Sequence, residues 1–181
     1  MELRELTEED APALQKIYRG ASLTYIERQG LSAAEAITMV SDALTGPHGR
    51  WVFGIAVDDD LVGKVRLRCR AESHAAISYV LREDSWGHGY ATQAVAGMLR
   101  YAFTATGMTS IGARHHPDNT ASGRVLQKNG FTYRGTFGGW LLYDLRKTNG
   151  WHPRSRTPLP TTTAPGRPPP GSPTPPVARR R

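Results

Sequence analysis

Cysteine is nearly absent. Cys69 stands alone among 181 residues, which excludes a disulfide framework and a cysteine-built zinc site. Long apolar runs are missing too, and no stretch approaches the length a membrane-crossing helix needs. The opening Met1-Glu2-Leu3-Arg4-Glu5 is charged where a secretory leader would be apolar. A cytoplasmic protein without membrane contact is the expectation. The P-loop pattern Gly-x-x-x-x-Gly-Lys-Ser/Thr does not occur. No nucleophile–base–orienter series of a hydrolase is visible, since Ser122 lacks the strand-to-helix elbow. His115 and His116 are adjacent, so on a strand they point to opposite faces and chelate poorly. No metal is expected.

Acidic residues are missing from one end. From Lys147 to Arg181 there are seven basic residues and no acid, which leaves sixteen Lys and Arg against all sixteen Asp and Glu before it. The formal net charge of +7 therefore belongs to the tail, and a nucleic-acid partner is not expected from it. Ten of the 13 prolines also lie from Pro153 onward. Such a stretch buries too little apolar surface to offset its conformational entropy. Two regions are expected: a folded domain over 1–147 and a Pro/Arg-rich disordered tail over 148–181.

What is present before the tail reads as alternating strands and helices. Glu2 to Leu6 is a short edge strand. Thr7-Glu8-Glu9-Asp10 opens a helix that tolerates Pro12 early and ends by Gly20. Ser32-Ala33-Ala34-Glu35 is a capping box for a second helix running to Gly46-Pro47. Trp51 to Val57 and Leu61 to Arg70 form a hairpin around Asp58-Asp59-Asp60. Ala75 to Leu81 is a third strand, followed by a helix from Thr92 to Thr106. Thr109 to Arg114 is a further strand, so this strand–helix–strand unit predicts a parallel pair with a right-handed crossover. A short helix follows Asn119, and Phe131 to Arg134 with Leu141 to Arg146 make a closing antiparallel pair.

Between the third strand and its helix stands Trp86-Gly87-His88-Gly89-Tyr90-Ala91-Thr92. A Gly-x-Gly turn leaves backbone N–H groups uncovered, and the helix start adds its unpaired donors and partial positive charge. Together they can seat a pyrophosphate, although two glycines can equally well just shape a tight turn. A dinucleotide fingerprint is not met. It would need a small residue at Thr92 and an acid near Met108 to Ser110.

With Asn119-Thr120-Ala121-Ser122 and the run Val125-Leu126-Gln127-Lys128-Asn129-Gly130-Phe131 added, the sequence resembles the GNAT superfamily of N-acetyltransferases. It looks closest to the branch of ribosomal-protein N-terminal acetyltransferases. The family's coenzyme A signature, Gln/Arg-x-x-Gly-x-Gly/Ala, aligns with Trp86 to Ala91 and departs from it at Trp86. The resemblance covers roughly Glu2 to Arg146.

It implies an α/β (α+β) fold, a mixed central sheet flanked by helices. It also implies transfer of an acetyl group from acetyl-CoA to a primary amine, on a protein N-terminus or a small molecule. Trp86, Gly87, His88, Gly89, Tyr90, Ala91 and Thr92 would form the pyrophosphate seat. Backbone groups of Tyr79, Val80 and Leu81 would meet the pantetheine arm, and Asn119 would hydrogen-bond it. Ser122 would lie near the sulfur and help it leave. Some relatives carry a Glu where this chain has Ala76, so the base is sought at Glu83, whose partial burial would raise its pKa. A backbone N–H of Val80 or Leu81 would polarise the carbonyl. A catalytically silent module that binds coenzyme A or a small metabolite is the alternative, and a homodimer stays open.

Overall fold

Asp58 and Asp59 adopt positive φ, 49° and 67°, a conformation that Asp tolerates better than most residues. They close the tight turn between β2 (Arg50–Val57) and β3 (Asp60–Ala71). This hairpin supplies the second and third strands of a seven-stranded sheet of order β1-β2-β3-β4-β5-β7-β6, seen in a computed structural model that describes residues 1–148. Strand β1 (Glu2–Arg4) pairs antiparallel outside β2, and β4 (His74–Leu81) pairs antiparallel on β3. The rest of the sheet is β5 (Ser110–His115), β6 (Thr132–Phe137) and β7 (Trp140–Arg146). From Asn149 on, the stretch expected to be disordered lies outside the described residues.

Among the described residues four α-helices flank the sheet. They are α1 (Ala11–Ile17), α2 (Ala33–Thr45), α3 (Tyr90–Ala105) and α4 (Thr120–Lys128). The helix expected from Thr7 is shorter than its pattern suggests. A 3-10 turn over Glu8–Asp10 comes first, and Pro12 sits in the first turn of α1, where a missing N–H costs nothing. At α2 the capping box is formed: Ser32 N–H donates to Glu35 Oε2 at 2.8 Å and Glu35 N–H to Ser32 Oγ at 3.3 Å.

The faces of the sheet are covered unequally. On one, Ala94, Val95, Met98, Leu99, Ala102 and Phe103 of α3 pack over Phe53, Val65, Leu67, Ile77 and Ile111. Burying each Val, Leu, Ile, Met or Phe among them contributes about 1.5–3 kcal/mol, so this layer carries much of the fold. On the other, α1 and α2 bury Leu14, Ile17, Ala36 and Val40 over Val52, Leu61 and Val80. They stop there, leaving the part of that face formed by β3, β4, β5 and β7 open to a cleft.

As expected, β4 and β5 are parallel neighbours joined through α3, but they stay paired for three residues only, His74 to Ala76 against Ser110 to Gly112. Beyond Ala76 they part. The closing antiparallel pair holds as well, though β7 is inserted between β5 and β6.

Candidate functional site

Parting of β4 from β5 creates an opening in the sheet, because paired strands run only about 4.8 Å apart and leave no room between them. Arg82 N–H donates to Val62 O at 2.8 Å on the β3 side. Peptide groups alternate sides along a strand, so Val80 faces β3 as well, while Ile77, Tyr79 and Leu81 turn theirs to the opening. Of the two N–H groups considered for polarising a carbonyl, only that of Leu81 has the right direction. Val80 offers its side chain to the floor of the cleft instead. The Leu81 carbonyl is occupied, accepting from Ser22 Oγ at 2.9 Å and Trp86 Nε1 at 3.2 Å.

At the end of β4 the chain makes a 3-10 turn, Glu83–Ser85, and then the Gly-x-Gly turn. Gly87 and Gly89 both have positive φ, 82° and 79°, and a Cβ built on either would meet nothing within 4 Å. Any L-residue would be strained there, and the space beyond the turn is empty. Helix α3 starts at Tyr90, two residues earlier than expected, with Gly89 as its N-cap and no side chain on the cap. The first-turn N–H groups of Tyr90, Ala91 and Thr92 therefore have no partner within the helix. An anion such as a pyrophosphate fits this cradle in shape and in charge. His88 stacks on Tyr90, ring centroids 5.4 Å apart, and both rings leave the glycine backbone uncovered.

Helix α4 flanks the far side of the opening. The Asn119 side-chain carbonyl accepts from Ser122 N–H at 3.0 Å, so its oxygen caps the helix and its amide N–H groups remain to donate. Ser122 Oγ lies 2.7 Å from Tyr79 Oη, and either hydroxyl can be the donor. Burial pushes the Tyr79 phenol up to about 12, which keeps it protonated at every working pH. This bridge between β4 and α4 joins residues far apart in sequence, and no local pattern announces it.

Glu83 is exposed rather than partly buried. Its Oε2 accepts from Ala21 N–H at 3.2 Å, against Gly20, whose positive φ of 58° suits glycine. A Cβ at Gly20 would come within 3.1 Å of that oxygen. The carboxylate is thereby held against the loop after α1, whose Ala21, Ser22 and Tyr25 line the cleft. Tyr25 stacks on His116 (5.6 Å between centroids), and His116 meets Trp140 edge-on. These rings wall the cleft where β5 ends. His115 is buried, donates through Nδ1 to the His116 carbonyl (2.7 Å) and stacks on Tyr143. Among the described residues no cluster of His, Cys, Asp or Glu could hold a metal ion.

Sequence reasoning also misses a basic stripe. Lys64, Arg66 and Arg68 pair with Val80, Ser78 and Ala76, so with Arg70 these side chains project from β3 onto the open face, and all four line the cleft. The signal is one cation at every second position, and it vanishes when charges are only summed. The cleft runs continuously from the Gly-x-Gly turn past the opening to this stripe, with a volume of ≈ 2120 Å³. A site for one small ligand usually measures about 300–1,000 Å³, so there is room for two substrates on either side of the opening.

Comparison with known proteins bears on the family and the fold. Residues 1–132 match the family model described as acetyltransferase (GNAT) domain. The chain is 31% identical over 141 residues to the uncharacterized N-acetyltransferase YoaA of Bacillus subtilis, covering 74% of this chain and 80% of that one. Among solved structures it is similar to RimL, a ribosomal L7/L12 alpha-N-protein acetyltransferase in complex with coenzyme A (TM-score 0.70, 18% identity, 80% of this chain and 92% of that one). It is equally similar to the aminoglycoside acetyltransferase AAC(6')-Ib in complex with coenzyme A (TM-score 0.70, 16% identity, 81% and 94%). At such identities the two structures speak for the fold alone.

Proposed function

The chain belongs to the GNAT acetyltransferase family, and from that premise we propose that it transfers the acetyl group of acetyl-CoA directly to a primary amine. The observation that carries the reading is the open Gly87–Gly89 cradle leading straight into the opening between β4 and β5. Backbone N–H groups from Gly87 to Thr92 hold the pyrophosphate. Tyr79 offers its backbone groups to the pantetheine arm, Asn119 donates its amide to it, and Trp86 and His88 flank the seat. The complexes of RimL and AAC(6')-Ib with coenzyme A support this donor.

Three tasks remain for the residues around the opening. Glu83, through a water, takes the proton that the amine gives up as its nitrogen bonds to the carbonyl carbon. The Leu81 N–H steadies the negative charge that develops on the carbonyl oxygen, where a pre-aimed donor is worth most. Ser122, backed by Tyr79, donates to the sulfur as the carbon–sulfur bond breaks, and the products are an N-acetylated amine and a free thiol. The acceptor is a protein N-terminus or a small-molecule amine. The Asn119–Ser122 and Val125–Phe131 motifs support the ribosomal-protein branch and the first of these, while the names of RimL and AAC(6')-Ib say that this fold serves both kinds of acceptor.

Following free thiol while primary amines are added one at a time tests the reading. Release above the acceptor-free rate with at least one amine is expected. Release that ignores every acceptor would make the protein a thioesterase and overturn it.

A further inference from the structure

Lys64 is a cation buried without a counter-ion. It is 8% exposed, and its Nζ touches Met39 Sδ at 2.8 Å, a thioether being a weak acceptor. The same ammonium lies over the Tyr18 ring, 5.1 Å from its centroid, and Arg28 takes up a second position on that ring at 5.2 Å. Arg66, half-buried, donates through Nε to Ser78 Oγ at 3.2 Å. Among the described residues neither Lys64 nor Arg66 has a carboxylate within 4.0 Å. The acids nearby are exposed and already engaged: Asp42 with Arg50 at 3.7 Å and Glu35 with Arg28 at 3.5 Å. Glu27 is exposed at the rim. Arg50 keeps a buried Nε without any partner.

Such an arrangement weakens the fold. Burying an ammonium costs several kcal/mol unless it is paired, and gathering Arg28, Arg50 and Arg66 around it adds like-charge repulsion. Desolvation and then those arginines pull the Lys64 pKa down to about 7. Four cations against two paired, exposed acids, with Lys64 and Arg66 left unpaired in a substrate cleft, have the character of a binding site for negative charge.

We propose that Tyr18, Lys64 and Arg66, with Arg28 at the rim, form an anion subsite for the acceptor, so that the amine to be acetylated belongs to a molecule that also carries a carboxylate or phosphate. The proposal rests on the acetyl-transfer reading above and narrows its substrate class. Position supports it. Lys64 and Arg66 stand opposite Val80 and Ser78 on β4, one strand away from the opening, which is about 5 Å. An anion seated over β3 would leave an amine a few bonds away at the edge of the gap. A polycation of the aminoglycoside type would meet charge of its own sign here.

Matched acceptor pairs test it: β-alanine against β-alaninamide, and phosphoethanolamine against ethanolamine, with kanamycin as a polycation. The charged member of at least one pair should have the higher kcat/KM, by tenfold or more, since a charged hydrogen bond contributes about 1.5–3 kcal/mol. Which pair responds distinguishes carboxylate from phosphate. Lys64→Met and Arg66→Gln, each checked by thermal unfolding, should reduce that ratio about tenfold, and Arg66→Gln, being half-exposed, keeps the test valid should Lys64→Met not fold. A binding arm needs no turnover: glutarate and inorganic phosphate, which have no amine, are titrated by calorimetry, and at least one should bind with uptake of protons at pH 8 as Lys64 recharges. Equal or better use of the neutral or cationic acceptors, or binding of neither anion, would overturn the proposal. Absence of thiol release with every amine, alongside binding of either anion, would instead count against acetyl transfer and leave the anion subsite standing.

Discussion

The hydroxyls of Tyr79 and Ser122 lie 2.7 Å apart, tying β4 to α4 across the opening where the sheet parts. Their positions put a protonated phenol behind the serine proposed to meet the departing sulfur. Ser122→Ala should lower kcat by about tenfold, less than loss of a general base would, because water can still protonate a thiolate. Tyr79→Phe should cost less than that, and the double variant no more than Ser122→Ala alone if the two act as one relay. Fully additive losses would show that they act separately.

Gly89→Val strains a left-handed backbone position and fills the empty seat beyond it. The wild-type protein, given acetyl-CoA at about 100 times its Kd, should gain about 2.7 kcal/mol, or roughly 5–10 °C in Tm for a domain of this size. The folded Gly89→Val variant should show no such gain. A normal shift in the variant would remove the glycine turn from the binding site.

Glu83→Gln should reduce kcat by roughly 10²-fold and leave acetyl-CoA binding unchanged. Its link to Ala21 N–H (3.2 Å) can survive the change, since an amide oxygen also accepts, so the loss would report on proton transfer. Full activity across the pH range would transfer the role to solvent or a histidine.

Lys64 should leave its mark on stability. Its folded pKa, about 7, lies below the ordinary 10.5, so between those values the unfolded chain holds the extra proton. Stability therefore rises as pH goes from 7 to 10.5, by up to several kcal/mol, and below 7 the penalty is constant. Neighbouring Tyr18, pushed up to about 12 by burial, does not titrate in this window. Lys64→Met should raise Tm at pH 7 and flatten the rise measured by unfolding between pH 7 and 10. An unchanged slope would mean that the ammonium is better solvated than its burial implies.

Local devices are the part of this molecule that its sequence spells out. The Ser32–Glu35 box, the Asp58–Asp59 turn and the Gly87–Gly89 turn are each set by residues within four positions of one another, and all three are found. The parallel β4–β5 pair follows from a strand–helix–strand pattern. Insertion of β7 between β5 and β6 is not legible, because pairing across loops leaves no local trace. Nor is the Tyr79–Ser122 bond, which needs the tertiary fold. Glu83 does stand beside the strand end, as its place in the chain implies, but the exposed turn denies it the partial burial expected of a base. Lys64, Arg66, Arg68 and Arg70 form one face by strand periodicity, a pattern that shows only when charge is mapped along the strand rather than summed.

In the proposed reaction the acetyl group passes from acetyl-CoA to an amine nitrogen on this protein. Acetyl-CoA labelled in the acetyl group, incubated with enzyme and an accepted amine, measures this directly when free thiol and labelled amine are quantified together. The account predicts one labelled N-acetyl product for each thiol released, and loss of both in Gly89→Val. Thiol released without labelled amine, or binding of acetyl-CoA with neither product, would contradict it.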